Sequence, residues 1–328
     1  MLLLLFFLLS PLVATGERCH PDDKTAILKF KNSFTNGPEL LPGWTQDRDC
    51  CDIFDCDETT NRVIDFSLTY SNLAGTIPDV IGDLTYLKSL RLKKMPFLVG
   101  PIPRAITRLK HVTFLDISWT NVSGQVPSFL SELQNVMILD LSFNNLSGPI
   151  PSSLATLPNI IGLDLSRNKL TGPIPESFGH FVSQSTISIL LSHNMLSGEI
   201  PKSLGNTNLD SFDVSRNNFS GDASMVFGAS KNTTSIDISR NNFEFDFTKV
   251  NFMVDTLVSL DISHNKIYGE ISPQILQAYM LQMLNVSYNR LCGRIPSPWK
   301  LKYRSEGFDN SSFIHNRCLC GSPLDECK

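Results

Sequence analysis

Aspartates recur at one fixed place along this sequence, each between two apolar residues, as in Leu139-Asp140-Leu141. The six are Asp116, Asp140, Asp164, Asp213, Asp237 and Asp261. Carboxylates on neighbouring segments could act as the acid and base of a glycosidase. They could also form an acidic stripe that meets a basic partner, or simply a solvated row that carries no function.

The sequence offers little other support for catalysis. It lacks the G-x-S-x-G, H-E-x-x-H and phosphate-loop motifs, and its histidines are scattered. The aspartates are expected on an open face that does not exclude water. We therefore predict that the protein is not an enzyme and holds no cofactor or metal.

A second set of residues, before the asparagine of each repeat, is rich in aromatic and basic types. It runs Tyr70, Lys94, Trp119, Phe143, Arg167, His193, Arg216, Arg240, His264 and Tyr288. Aromatics and arginine are enriched in binding hot spots, and local packing of the rings is the alternative. Positions just before the strands vary most freely, as at Ile161, Ser188, Thr234 and Gln282, and we expect them to set specificity. The predicted partner-binding residues are these four, the six aspartates, Leu190 in the aspartate column, and Trp119, Phe143, Arg167, His193, Arg216, Arg240 and His264.

A repeat positions all of these residues. Ten copies align on an L-x-L-x-x-N core, and their starts, from Phe66 to Leu284, are 23 to 26 residues apart. Two close copies are "LDLSFNNLSGPIP" from Leu139 and "LDLSRNKLTGPIP" from Leu163. This period identifies a leucine-rich repeat, in which stacked coils bury what one coil cannot.

The alternation within each core predicts a short strand. Its two apolar residues face the interior, and the residue between them faces solvent on the concave side of the stack. The asparagine, for example Asn144, is expected to turn its amide toward the backbone of neighbouring coils. Gly148 permits a tight backbone course, and Pro151 disfavours helix.

The ends of the chain differ from the repeats. Residues 1–16 read as a secretory signal peptide, 17–62 as an N-terminal cysteine-rich cap, 63–299 as ten repeats and 300–328 as a C-terminal cysteine-rich cap. In the first cap, Asp22 or Asp23 is expected to begin a helix with Ala26, Ile27, Phe30 and Phe34 on its apolar face.

Eight cysteines form two groups of four, one per cap. Two disulfides per cap fit a secreted protein better than a zinc site. In the first group the sequence allows two disulfide pairings, which are Cys19–Cys50 with Cys51–Cys56, or the crossed alternative.

The net charge and the glycosylation sequons bear on the partners and the location of the protein. A net charge of −4 gives no reason to expect nucleic-acid binding, and we expect no membrane span and a secreted monomer. Six N-x-S/T sequons are glycosylation candidates: Asn121, Asn145, Asn218, Asn232, Asn285 and Asn310.

The repeat form N-x-L-x-G-x-I-P resembles the plant-type leucine-rich repeat. The stretches "HPDDKTAILKFKNSF", "GDASMVFGASKNTTSIDISRN", "LNVSYNRLCGRIP" and "FIHNRCLCGSPLDEC" resemble polygalacturonase-inhibiting proteins. The likeness also covers two coils that lose the I-P element, at Gly221-Asp222-Ala223 and Glu244-Phe245-Asp246.

This resemblance implies a fold and a function. The fold is an α/β right-handed solenoid with a parallel concave sheet, a second small sheet, a 3₁₀-helical convex side and disulfide caps. The implied pairs are Cys19–Cys50, Cys51–Cys56, Cys292–Cys318 and Cys320–Cys327. The implied function is binding and inhibition of fungal, and in some cases insect, endo-polygalacturonases in the plant cell wall or apoplast, with pectin as a further partner.

Two other readings of the same repeats remain. One is a soluble receptor-like or co-receptor signalling module. The other is an ice-binding protein, which the row of aspartates disfavours because ice binding favours rows of Thr and Asn.

Overall fold

A computed structural model describes residues 18–183, 185–299, 301–302 and 307–328. The predicted signal peptide, residues 1–16, lies outside the described residues. The part of the chain that the structure describes forms two α-helices, α1 (Pro21–Asn32) and α2 (Gly37–Leu40). The strands are β1 (Asp65–Thr69), β2 (Gly75–Thr76), β3 (Ser89–Gly100), β4 (Phe114–Gln125), β5 (Ile138–Asp140), β6 (Asn145–Gly148), β7 (Gly162–Asp164), β8 (Lys169–Gly172), β9 (Ile187–Leu190), β10 (Met195–Glu199), β11 (Leu209–Asp213), β12 (Asn218–Gly221), β13 (Ser235–Asp237), β14 (Asn242–Phe243), β15 (Ser259–Asp261), β16 (Tyr268–Gly269), β17 (Met283–Asn285), β18 (Arg290–Arg294) and β19 (Cys318–Cys320).

The strands form parallel arrays that follow the repeats. The concave array runs β1-β3-β4-β5-β7-β9-β11-β13-β15-β17, and a second array, which we call the flank, runs β2-β3-β4-β6-β8-β10-β12-β14. The long strands β3 and β4 belong to both arrays, so sixteen strands make one sheet, with β16-β18-β19 as a separate sheet. The leucine-rich repeat solenoid is thereby confirmed, and the predicted second small sheet is joined to the first at its N-terminal end.

Register places equivalent residues side by side. Leu139 pairs with Leu163 and Asp140 with Asp164 across β5 and β7. The apolar partners of each core are fully buried, as at Leu139 and Leu141. Short 3₁₀ helices such as Ser152–Thr156 follow each strand pair on the other side of the coil and bury Leu154.

A ladder of buried asparagine amides joins successive coils. The Asn168 Nδ2 donates to the Leu141 carbonyl of the previous coil at 2.9 Å, and its Oδ1 accepts from Leu146 N–H at 2.9 Å. The same contacts to the preceding coil recur along the stack; the ladder comprises Asn144, Asn168, Asn194, Asn217, Asn241, Asn265, Asn289 and Asn316. Each amide hydrogen-bonds to backbone groups that the hydrogen bonds between strands do not satisfy. The expectation for Asn144 is therefore confirmed.

The first three coils carry other residues at the asparagine position, namely Ser71, Met95 and Thr120. Met95 is fully buried, and the Thr120 hydroxyl donates to the Asn144 side chain. In coils two and three, β-pairing with the neighbouring coil resumes directly after the left-handed residue, which gives the twelve-residue strands β3 and β4.

The N-terminal cap differs from the prediction in one respect. Helix α1 begins after His20, whose Nδ1 accepts from Asp22 N–H at 3.3 Å, so neither Asp22 nor Asp23 is the capping residue. Asp23 is fully buried, and its carboxylate accepts from the Arg62 guanidinium at 2.7 Å and from Val63 N–H at 2.8 Å. Asp23 therefore ties the helix to the first coil, and the apolar face predicted for α1 is buried.

Four disulfides close the caps: Cys19–Cys50, Cys51–Cys56, Cys292–Cys318 and Cys320–Cys327. The C-terminal cap also extends the stack. Val286 N–H donates to Ser312 O at 2.8 Å, Tyr288 N–H to Ile314 O at 3.0 Å, and Asn316 continues the asparagine ladder. This cap is thus built as an eleventh, partial coil.

Candidate functional site

A column of side chains with left-handed backbone lines the concave face. We call it the αL column; its φ angles lie between 53° and 58° at Tyr70, Lys94, Trp119, Phe143, Arg167, His193, Arg216, Arg240, His264, Tyr288 and His315. L-residues disfavour this conformation, at a cost of about 1 kcal/mol each. The following residue, usually the ladder asparagine, must turn inward, so the column side chain is held at the edge of the concave strand.

The N-terminal half of the αL column is an aromatic stack. Trp119 and Phe143 lie parallel with ring centroids 3.5 Å apart, and the Arg167 guanidinium lies 4.8 Å from the Phe143 ring. Lys94 Nζ lies over Tyr70 at 4.4 Å and over Trp119 at 5.9 Å. Trp119 nevertheless stays 45% exposed. The rings therefore pack on one another, as the local-packing alternative predicts, and Trp119 still offers an exposed surface; partner binding by these rings stays a prediction.

The C-terminal half is a polar groove with a volume of about 420 Å³, which we call the charged groove. Its cationic edge is formed by residues of the αL column, namely Arg167, His193, Arg216, Arg240 and His264. Its floor is formed by polar residues of successive coils, namely Ser192, Ser215, Ser239, Ser263, Asp213, Asp237, Asp261 and Asn285. The guanidinium groups of Arg216 and Arg240 form no ion pair with any carboxylate in the described residues. These two side chains are exposed and remain available to a partner.

The aspartates do not form the solvated row that alternation predicts. Asp140, Asp164, Asp213, Asp237 and Asp261 are half-buried, and each Oδ1 accepts from the backbone N–H of the serine two residues later at 2.9 Å. Asp116 is only 1% exposed and pairs with Arg91 Nε at 3.4 Å and Lys93 Nζ at 3.5 Å. The alternative of a solvated row was wrong, because in the parallel register each of these residues lies beside the equivalent residue of the neighbouring coil.

Burial also sets the electrostatics of this row. Desolvation raises the pKa of Asp140 and Asp164 above the usual value. It raises the pKa of Asp237 to about 6, with repulsion from Asp213 and Asp261 adding to the effect and the Ser239 hydrogen bonds opposing it. Part of the row is therefore costly to ionise and acts as a structural element of each turn.

Histidines of the αL column respond in the opposite direction. Burial lowers the pKa of His193, and Arg167 and Arg216 on either side lower it further. The His193 Nδ1 is buried with no hydrogen-bond partner among the described residues. Burial also lowers the pKa of His264, helped by Arg240.

The residues predicted before the strands lie along the opposite edge of the concave array. Ser188 Oγ donates to Asp210 Oδ2 at 3.2 Å, and Thr234 Oγ1 donates to Asp210 O at 3.1 Å. Ile161 is half-buried and Gln282 is exposed. Ser188 pairs with Gly162 in the register, so these four positions do not form one column. Leu190 pairs with Asp164 and interrupts the aspartates.

His315 belongs to the αL column but was missed in the sequence. Its ring stacks on Tyr288 with centroids 4.2 Å apart, and Tyr288 stacks on His264 at 4.1 Å. The pair His315-Asn316 repeats the pair His264-Asn265, and this was the signal for a further partial coil.

The sequon asparagines occupy three settings. Asn145 and Asn218 lie on flank strands, and Asn121 Nδ2 donates to Pro96 O at 2.6 Å beside them. Asn232 and Asn310 are exposed. Asn285 lies in the charged groove, where Nδ2 donates to Asp261 at 3.3 Å and Oδ1 accepts from Ser287 N–H at 3.2 Å. Glycosylation of these sites stays a prediction.

Clustered metal ligands occur in the described residues at Cys19, Asp49, Cys50 and Cys51, but every sulfur of this group is in a disulfide. Within the same residues, no helix has both the length and the apolar character needed to cross a membrane.

Comparison with known proteins identifies the family. The leucine rich repeat N-terminal domain matches residues 20–54, and the Leucine Rich Repeat matches residues 135–157, 159–181, 185–207, 256–278 and 280–301. The chain is 50% identical to a polygalacturonase inhibitor of Pyrus communis over 317 residues, 96% of this chain and 94% of that one. The chain belongs to the polygalacturonase inhibitor family.

Two further matches extend this family likeness. A polygalacturonase inhibitor of Vitis vinifera is 49% identical over 329 residues, covering 100% of this chain and 96% of its own. The crystal structure of a plant ice-binding protein superposes with a TM-score of 0.89 at 42% identity, covering 95% of this chain and 99% of its own. The likeness to both of these proteins therefore extends over both caps.

Proposed function

We propose that this protein binds and inhibits fungal endo-polygalacturonases through its concave face and so limits pectin degradation in plant defence. The proposal rests on the similarity to proteins named polygalacturonase inhibitors. About half of the residues are identical over nearly the whole chain, including both caps. Insect polygalacturonases are a secondary target, and the site of action is the apoplast, where the protein is secreted as a monomer.

Inhibition in this proposal requires no chemistry from the inhibitor, which is not an enzyme and uses no cofactor. The aromatic stack of Trp119 and Phe143 supplies a rigid anchor, because both rings are already packed and lose little freedom on binding. The charged groove supplies Arg216 and Arg240 for acidic groups of the partner, so that the two halves together cover the enzyme cleft.

Pectin is a second candidate partner, favoured by the arginines of the charged groove. Arg167, Arg216 and Arg240 lie in one column of the parallel array, in which adjacent strands are about 4.8 Å apart. Guanidinium groups recognise carboxylates in bidentate geometry, and a polygalacturonate chain presents one carboxylate per sugar.

The test is inhibition of a broad panel of fungal endo-polygalacturonases by the purified protein, with direct binding measured in parallel. Trp119→Ala is expected to weaken binding at least tenfold, as truncation of a central aromatic anchor does. Phe97→Ala is the matched control, since Phe97 is 55% exposed and lies near the C-terminal end of β3, beyond its concave segment.

The outcome separates the readings. Absence of binding and inhibition across the panel would refute the inhibitor function and favour a signalling module or an ice-binding protein. Equal losses for Trp119→Ala and Phe97→Ala would refute the concave face as the contact surface.

A further inference from the structure

The charged groove is balanced in formal charge when its histidines are neutral. Three guanidinium groups, of Arg167, Arg216 and Arg240, face three carboxylates, of Asp213, Asp237 and Asp261. The two rows lie side by side along successive coils and form no ion pairs with each other. Uptake of a single proton therefore turns the balanced groove into a cationic one.

Protonation of any of three groups in the groove changes the groove's charge in the same direction, toward positive. Asp237, packed against Ser239, Asp213 and Asp261, has its pKa raised by burial to about 6. His193, between Arg167 and Arg216 and facing Asp213, has a pKa lowered by burial from 6.5. Burial also lowers the pKa of His264, which lies near Arg240, Arg216, Asp261 and His315. The His264 Nδ1 lies 3.2 Å from Ser263 Oγ.

We propose that protons control the charge of this groove, which is balanced near neutrality and cationic in mildly acidic solution, so that it binds an acidic enzyme surface more tightly as the pH falls. The choice of partner rests on the proposed function; the charging of the groove does not. Each proton taken up adds one positive charge, and full titration of Asp237, His193 and His264 carries the formal charge from zero to plus three.

Linkage sets the size of the effect. If the bound partner raises the pKa of one titrating group by about one unit, affinity rises up to about tenfold across that titration. The positive charge added to the groove attracts an acidic surface over about a Debye length, so the gain in affinity is largest at low salt. We expect the dissociation constant of the wild-type complex to fall about tenfold between pH 7.0 and pH 5.0.

The experiment measures binding to a fungal endo-polygalacturonase at both pH values for the wild type and for Asp237→Asn, His193→Asn, His264→Asn and the triple variant. Asparagine is compatible with each site. Asn285 already accepts a serine N–H in the aspartate column, and asparagine tolerates the left-handed backbone of the two histidines. Thermal unfolding of each variant confirms that it is folded.

Dividing each variant's pH ratio by that of the wild type cancels titration within the enzyme. The pH ratio of the triple variant should be about one tenth of the wild-type ratio. Asp237→Asn alone should bind the enzyme more tightly than the wild type at pH 7.0. Lys94→Gln is the control, because it removes a cation of the αL column outside the groove and should leave the pH ratio unchanged. A triple variant with the full wild-type ratio would overturn the proposal.

A second probe keeps this inference separate from the proposed function. Oligogalacturonate of ten sugars is an anion whose carboxylates stay ionised between pH 5.0 and pH 7.0. If no polygalacturonase binds at either pH, the proposed function fails, but the oligomer should still bind about tenfold more tightly at pH 5.0, and the triple variant should lose that gain. A pH-independent or variant-independent affinity for the oligomer would refute control of the groove by protons.

Discussion

Replacing Asp237 with asparagine is expected to stabilise the protein near neutral pH. Burial raises the pKa of Asp237 from 3.8 to about 6 in the folded state. A difference of about two pH units corresponds to about 3 kcal/mol at a pH above both values. The amide accepts a weaker hydrogen bond from Ser239 N–H than the carboxylate does, which costs about 1 kcal/mol. The free energy of unfolding should therefore rise by about 2 kcal/mol at pH 7.5.

The pH dependence identifies the cause of this gain. The folded carboxyl holds its proton up to about pH 6 and the unfolded one only to about 3.8, so the wild type gains stability from Asp237 as the pH falls through this window. The advantage of Asp237→Asn should shrink to zero or slightly below by pH 4. Urea unfolding of both proteins at pH 7.5 and pH 4, with the disulfides intact, measures the difference. An equal advantage at both pH values, or a loss at pH 7.5, would refute the argument from desolvation.

Three further substitutions test the scaffold by urea unfolding. Asn241→Ala should cost about 3 kcal/mol, because it orphans buried backbone groups of two coils, whereas Asn242→Ala on the exposed flank should stay within about 0.5 kcal/mol; similar values would refute the ladder's role. Arg240→Asn should stabilise by about 0.5–1 kcal/mol, because asparagine tolerates a φ of 54° better, and a loss would contradict this. Replacing Cys19 and Cys50 with alanine opens a bridge of 31 residues and should cost about 3–4 kcal/mol; a cost under about 1 kcal/mol would argue against loop entropy as its source.

Much of the solenoid was predictable because its signals are local and repeated. The alternation of Leu139 and Leu141 fixes which side of the strand is buried, and Asn144 follows as a half-buried polar group that needs backbone partners. The irregular coils at Met95 and Thr120 were not predictable in the same way. Each alters the strand through its contacts with the next coil, and such contacts have no signature within one repeat.

The prediction for the aspartates failed because alternation describes a single strand. It places Asp140 on the outer face but says nothing about its neighbours. In the parallel register Asp164 lies directly beside it, and each side chain bends back to the N–H of its own serine. The outer face of an isolated strand thus became a half-buried row in the stack, with raised pKa values at Asp140 and Asp164.

The αL column explains why the predicted binding residues and the scaffold residues alternate so closely. The ladder asparagine must point inward in each coil, and the left-handed turn before it is what aims that amide. The turn costs about the same for Trp119, Arg167 or His193, because all carry a Cβ and none is β-branched. The side chain before the asparagine is therefore held in a fixed position while its chemistry is left free to vary. We therefore expect that substituting this side chain and its stacking neighbours changes the presented surface without changing the coil, since the backbone strain that presents it is already part of every coil.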